Sequence, residues 1–466
     1  MASNLENDTI AAIATAPGNG AVGIVRVSGP EAVALLRGVF VLPGNKTWEA
    51  TSHTMYYGHI VDNGETIDEV MVCPMLAPRS YTMEDTVEIY AHGGTVVLNS
   101  VLHAVINKGA RLANPGEFTK RAFLNGRINL TQAEAVMDII SAGSDQARRA
   151  GLKQLGGGLS HRIEAVRNTI LSWLAHIELS IDYPEHEDEA KTLAQILVEG
   201  VDILSALRSL LDTATIGRMI SQGIKTAIIG RPNAGKSTLL NAILSEDRAI
   251  VHEAAGTTRD VLTEHVVVKG VPLLLMDTAG IRETADPVEK IGVEKSLEAA
   301  GEAELVLYII DGSQPLEDHL SINGLPFIKD KAFINGNQFI NGKPLIVLIN
   351  KCDLPRDDST KDLTGIEIST RTGEGLDTLY QEIHHTFLKG IDRDESHIIT
   401  RERHRILLAQ AINHLETGFE EIRQGVPEDL VSIHLRSGYM ALGEILGVAV
   451  ADDIVDRIFA EFCLGK

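Results

Sequence analysis

The stretch GRPNAGKST, beginning at Gly230, carries the most specific chemistry in the chain. Gly230, Gly235, Lys236 and Ser237 stand where a P-loop needs them, after the apolar run TAII and before STLLNAIL. Glycines there let backbone N–H groups approach phosphates, and a helix opening behind them turns its positive end toward the same charge. Lys236 would neutralise β- and γ-phosphates, and the Ser237 hydroxyl would ligate Mg²⁺. Further motifs follow in the order a GTPase requires. GTTRD from Gly256 offers Thr258 as a switch residue for Mg²⁺ and the γ-phosphate. DTAG offers Asp277 for a water-bridged metal contact and Gly280 for an N–H to the γ-phosphate. NKCD, Asn350 to Asp353, ends in a carboxylate that can accept two hydrogens from the guanine edge, which adenine does not offer. Ser369-Thr370-Arg371 would support the base through its backbone, with threonine where alanine is usual.

The residue after DTAG is Ile281, where many GTPases place a water-orienting glutamine. Isoleucine offers no hydrogen-bonding group, so another side chain must hold the attacking water. Glu289 in RETADPVEKIGVEKS is the leading candidate, with Glu283, Asp286 and Glu294 competing on spacing alone. A cation is also needed where charge develops between the β- and γ-phosphates. The Asn233 side-chain oxygen, with carbonyls of HEAAGTT from His252, can hold a monovalent cation there. Asparagine also suits a tight turn.

These groups need elements to position them. TAIIG, VVVKG, LLLMD, LVLYIID and LIVLINK read as five apolar strands between helical or loop segments, a doubly wound α/β domain over 221–388. Residues 1–125 read as α+β, with the short alternating runs AVGIVRVSG, TMYYGHIVD, DEVMVCPML and DTVEIYAHGG. Residues 126–220 and 389–466 carry apolar residues at helical spacing. The economical arrangement is one all-α domain made from both flanks, with the α/β domain inserted; two separate helical domains are the alternative. The acidic run Tyr183 to Ala190 reads as a solvated loop, and Phe327 to Pro344, where FING recurs, as a surface insertion or β-hairpin.

Composition narrows the classes. The formal charge of −22 gives no long-range attraction to nucleic acid, and 4% aromatic residues argue against a base-stacking surface. Any RNA contact must use a local patch or a partner; RERHR at Arg401 is one candidate, with a solvated helix start as the plainer reading. The three cysteines, Cys73, Cys352 and Cys463, have no ligand spacing. No apolar run reaches membrane-spanning length and the N-terminus lacks a signal-peptide pattern, so a cytoplasmic protein without a membrane partner is expected.

Taken together, GRPNAGKST, AGTTRD, DTAGIRETADPVEKIG, NKCD and the tail FCLGK resemble the MnmE (TrmE) family of tRNA-modification GTPases. DTIAAIATAPGNGAVGIVRVSG and NPGEFTKRAFLNGRINLTQAEAVMDII extend the resemblance over essentially the whole chain. The resemblance implies a folate-binding-like N-terminal domain that forms a homodimer, and a partnership with the FAD protein MnmG (GidA) in a heterotetramer. That pair adds a (carboxymethyl)aminomethyl group to carbon 5 of the wobble uridine of certain tRNAs, using 5-formyl- or 5,10-methylene-tetrahydrofolate. It implies a GTP set of Asn233, Ala234, Gly235, Lys236, Ser237 and Thr238; His252, Glu253, Ala254, Ala255, Gly256, Thr257 and Thr258; Asp277, Thr278, Ala279 and Gly280; Asn350, Lys351 and Asp353; and Ser369, Thr370 and Arg371. Mg²⁺ would fall to Ser237 and Thr258, and K⁺ to Asn233 and the backbone at His252, Ala254 and Thr257. The family's water-organising glutamate falls on Glu289, beside the catalytic Lys236, and its folate site on Arg26, Glu88, Arg127 and Lys466. Leu464 replaces the usual isoleucine of the tail, and Cys463 reads as structural or site-lining. Competing readings are an RNA- or ribosome-associated assembly GTPase, and a folate-binding module in which GTP is only structural.

Overall fold

The computed structural model describes residues 8–44, 49–182, 193–246, 264–276, 301–315, 339–340, 343–388, 398–448, 450, 452–460, 462–463 and 465. The chain divides into two compact units, residues 1–137 with 442–466, and residues 138–441.

The first unit is built on a seven-stranded sheet of order β3-β4-β5-β6-β2-β1-β7. Its strands are β1 (Ile10–Ile13), β2 (Val22–Ser28), β3 (Phe40–Val41), β4 (Tyr56–Asp62), β5 (Glu65–Met75), β6 (Thr86–His92) and β7 (Arg111–Leu112). The four alternating runs read from the sequence form β2, β4, β5 and β6. Alternation puts one side of each strand into a core: Val25, Val27, Val72, Val87 and Ile89 pack with Leu98, Val101 and Val105 of the helix Thr95–Asn107. Arg26 and Glu88 therefore fall on the opposite face, directly across from each other in the β2–β6 register. At the C-terminus, Val455, Phe459 and Phe462 share a core with Leu130 and Ala133.

In the second unit, helices from both sides of the α/β domain share one interior. Trp173 of helix Gly158–Asp182 stacks edge-on against Phe419 of helix Glu402–Arg423, ring centroids 5.8 Å apart. The Trp173 indole N–H donates to Glu199 of helix Leu193–Asp212 at 2.7 Å, so its polar end is satisfied inside the bundle.

The α/β sheet has the order β12-β13-β11-β8-β10-β9, with β14 beside β13. Its strands are β8 (Ile224–Gly230), β9 (Glu264–Val268), β10 (Val271–Leu275), β11 (Leu305–Asp311), β12 (Phe339–Ile340), β13 (Lys343–Asn350) and β14 (Ile366–Glu367). Strands β10, β8, β11, β13 and β14 run parallel. The VVVKG strand departs from simple alternation: it is β9, antiparallel to β10 across the turn at Lys269 and Gly270. Every residue of β11 is buried, as a strand with neighbours on both sides and helices over its faces must be. Phe339–Ile340 pairs antiparallel with Lys343–Pro344; the rest of the FING segment lies outside the described residues.

Candidate guanine-nucleotide site

Parallel strands deliver their C-terminal ends to one edge of the sheet, where ligands of such folds bind. Gly230 closes β8 and the helix Lys236–Glu246 opens six residues later, so the intervening loop wraps a helix N-terminus. Its path depends on backbone that side chains resist. Gly235 has φ +106°, and a Cβ there would collide with the Asn350 amide. Asn233 adopts φ +62°, a left-handed conformation that asparagine tolerates.

Lys236 folds back over the loop, donating to the carbonyls of Gly230 and Arg231, each at 2.8 Å. Burial pushes its ammonium below the ordinary lysine range. A phosphate anion beside it would favour the charged form and offset that burial. The Ser237 hydroxyl has no hydrogen-bond partner among the described residues, so its oxygen fits a metal ligand's part. The exposed Asn233 side chain likewise keeps its carbonyl oxygen uncommitted among the described residues, which fits a monovalent cation.

The base-recognition loops are joined to the P-loop through one side chain. Asn350, 1% exposed, donates from Nδ2 to the Ala234 carbonyl at 2.7 Å and accepts from the Thr370 N–H at 3.0 Å. Ser369 is fully buried; its hydroxyl donates to Asp353 Oδ1 at 2.7 Å and accepts from the Thr372 N–H at 3.2 Å. Arg371 lies 3.1 Å from the other Asp353 oxygen. The Ser369 bond, with the nearby cations, holds the Asp353 carboxyl below the usual carboxylate range. The carboxylate is thus ionised and oriented before any base arrives.

Asn233 to Thr238, Asn350, Lys351, Asp353 and Ser369 to Arg371 all lie among the described residues of the second unit. His252 to Thr258, Asp277 to Gly280, Ile281, Glu283, Asp286, Glu289 and Glu294 lie outside the described residues. RERHR is a helix start whose cations are engaged: Arg401 pairs with Asp138 at 2.6 Å and Arg405 with Glu402 at 2.5 Å.

A second cluster forms in the first unit. The Arg26 guanidinium pairs with Glu88 at 2.8 Å, each side chain 14% exposed. Its Nη1 lies 3.4 Å from the Gly465 carbonyl, bringing the C-terminal tail to this face. Gly465 has φ +87°, and a Cβ there would strike the Ile13 carbonyl. Arg26 and Arg127 both lie over the Tyr81 ring, at 5.4 and 4.8 Å from its centroid. Tyr90 donates to Glu88 Oε2 at 2.6 Å, and burial with that bond raises its phenol far above the ordinary value. Arg26, Glu88 and Arg127 thus share a cluster, while Lys466, next to Gly465, lies outside the described residues. Cys463 is exposed, and its carbonyl lies 3.4 Å from the Gly116 N–H. Tyr90 was legible two residues beyond Glu88 on the same strand face; Tyr81, in a connecting loop, had no periodic signal.

The second unit carries a P-loop-type α/β domain and a helical bundle, and the first unit is α+β. Two family models cover it: the GTP-binding protein TrmE N-terminus matches residues 9–127, and the MnmE helical domain matches residues 130–463. A relative from Ligilactobacillus salivarius (strain UCC118), named tRNA modification GTPase MnmE, is 46% identical over 472 residues, covering 99% of this chain and 98% of the relative. One of the same name from Streptococcus pyogenes serotype M28 is 46% identical over 473 residues, covering 100% of both. The chain belongs to the MnmE family of tRNA modification GTPases. Among solved structures, the G domain of the T. maritima FeoB iron transporter is similar over 35% of this chain and 98% of its own, with 23% identity and a TM-score of 0.24.

Proposed function

We propose that the chain hydrolyses GTP and that the hydrolysis serves tRNA modification. The observation that carries the first half is the clamp at Asn350, which locks the P-loop carbonyl of Ala234 to the loop that aims Asp353. One side chain thus sets the spacing between phosphate cradle and base edge, so nucleotide and base selectivity come together. Lys236 exchanges the Gly230 and Arg231 carbonyls for phosphate oxygens when the substrate enters. Backbone N–H groups at the start of helix Lys236–Glu246 hold the phosphate chain, and Asp353 takes the N–H edge of guanine. Glu289 orients the attacking water, in place of a glutamine at Ile281. Ser237 and Thr258 would hold Mg²⁺, and Asn233 with the carbonyls of His252, Ala254 and Thr257 would hold K⁺; the two cations would supply positive charge against the phosphates.

The wider assignment follows the family. It comprises homodimerisation through the first unit, tetrahydrofolate bound at Arg26, Glu88, Arg127 and Lys466, the FAD protein MnmG as partner, the wobble uridine as target, and a cytoplasmic setting. Its support in this chain is the cationic, aromatic cluster reached by the C-terminal tail. GTP turnover in KCl against NaCl, with ATP as competitor, tests the GTPase reading; equal rates in the two salts would remove the K⁺ assignment. Wobble-uridine analysis of cells lacking the chain, rescued by wild type or Glu289→Ala, tests the modification; normal uridines without the chain would overturn it.

A further inference from the structure

We infer that Asp311 is a positioning residue for guanine: it holds Lys351 so that the lysine stem lies against the face of the base. The inference rests on the guanine-nucleotide reading above and names a residue that reading does not use.

Asp311 ends β11 directly across from Asn350 in the β11–β13 register and is 4% exposed. Both carboxylate oxygens are committed. Oδ2 receives the Lys351 ammonium at 2.5 Å, and Oδ1 receives the Ser313 hydroxyl at 2.6 Å and the Ser313 N–H at 3.0 Å. Lys351 has φ +66°, a conformation that lysine rarely adopts, and this turns its side chain back toward the end of β11. Its chain neighbours are already anchored, Asn350 to the P-loop and Asp353 to Ser369. A purine whose edge meets Asp353 and whose phosphates meet the P-loop must lie beside the residue between those anchors. The four-carbon stem of Lys351 offers apolar surface there, and its charge adds attraction for the ring face.

A bland alternative is that Asp311 merely caps the Gly312–Ser313 turn. An amide would serve for that, since Oδ1 alone accepts from Ser313. A buried carboxylate is costly without a cation, and Lys351 is the cation it meets. Burial alone would raise the Asp311 carboxyl, yet the Lys351 and Ser313 hydrogen bonds hold it below the usual range.

The test uses the full chain with Asp311→Asn, which keeps the Ser313 bonds and removes the pull on Lys351, alongside Lys351→Met and the double variant. Asp311→Asn is expected to raise the GDP Kd and the GTP KM about tenfold, the worth of one charge-assisted contact, with kcat at saturation within about twofold. The double variant should bind no more weakly than Lys351→Met alone, because the two residues act as one unit. Wild-type KM in Asp311→Asn, or fully additive losses in the double variant, would overturn the inference. Should Asp311→Asn not fold, Lys351→Met is decisive: it leaves Asp311 bonded to Ser313, and an unchanged GDP Kd overturns the inference. Equal wild-type affinity for GDP and ADP would instead overturn the guanine reading beneath it, whatever the variants do.

Discussion

Asp353→Asn tests the base loop where its geometry is most constraining. Ser369 donates to Asp353 Oδ1 at 2.7 Å, so an amide at this position keeps its oxygen on that side. Its NH₂ then replaces Oδ2, the atom now 3.1 Å from Arg371. Guanine presents two N–H groups to the carboxylate; after substitution one still finds an oxygen and the other faces an N–H. The loss of one charge-assisted bond costs about 1.5–3 kcal/mol, and the unpaired donor about 1–3 kcal/mol more. Together they predict a fall in GTP kcat/KM of roughly 10²- to 10⁴-fold. Xanthine carries a carbonyl where guanine carries its amine, so it accepts from the new NH₂, and XTP should overtake GTP. The Asp353 side chain is 16% exposed and an amide keeps the Ser369 bond, so folding stability should change by only about 1 kcal/mol. The assay is kcat/KM for GTP, XTP and ATP, with thermal melting as the control for folding. A GTP value within about threefold of wild type would refute the reasoning, as would XTP remaining worse than GTP.

Further consequences follow from other packed sites. Gly235→Ala places a Cβ against Asn350 in a left-handed backbone, costing about 1–2 kcal/mol before the Asn350 bonds are disturbed; calorimetry should show GDP affinity down by about 100-fold or more. Arg121, its side chain 6% exposed, bridges Asp8, Glu84 and Glu117. Arg121→Met leaves those carboxylates without it and should cost about 3–5 kcal/mol, seen as faster hydrogen exchange in β1 and β7. Burial alone would raise the Glu304 carboxyl, but its bonds from Arg218 and the Lys225 N–H keep it below the ordinary value of 4.5. The unfolded state therefore binds the proton more tightly, and the stabilisation is complete above about pH 4.5 and lost as pH falls through the folded value. Glu304→Gln should thus melt below wild type at pH 7, with the gap closing on acidification; a gap that widened would show the sign to be wrong.

The strands were legible because their evidence is local. An apolar run such as LVLYIID can be satisfied only by burial on both faces, and β11 is buried throughout. The glycines and lysine of GRPNAGKST announce a phosphate loop by residue type and spacing, and the loop lies between β8 and its helix. The antiparallel turn of β9 was not legible, because a short apolar run does not state its direction. RERHR reads as a helix start, and Glu402, three residues before Arg405, is a partner visible within the motif; Asp138, 263 positions from Arg401, becomes its neighbour only on folding.

By itself, then, the sequence carried the P-loop pattern, the NKCD motif, the alternation of β- and α-rich segments and the family. All are encoded in residue types at short, fixed spacings. The tertiary structure alone decided that Asn350 ties the P-loop to the base loop, that Ser369 orients Asp353 and that Asp311 holds Lys351. It also decided that the tail at Gly465 meets Arg26, 439 positions away in the chain. Contacts at such separations depend on sheet order and register, and no local pattern of residues encodes either one.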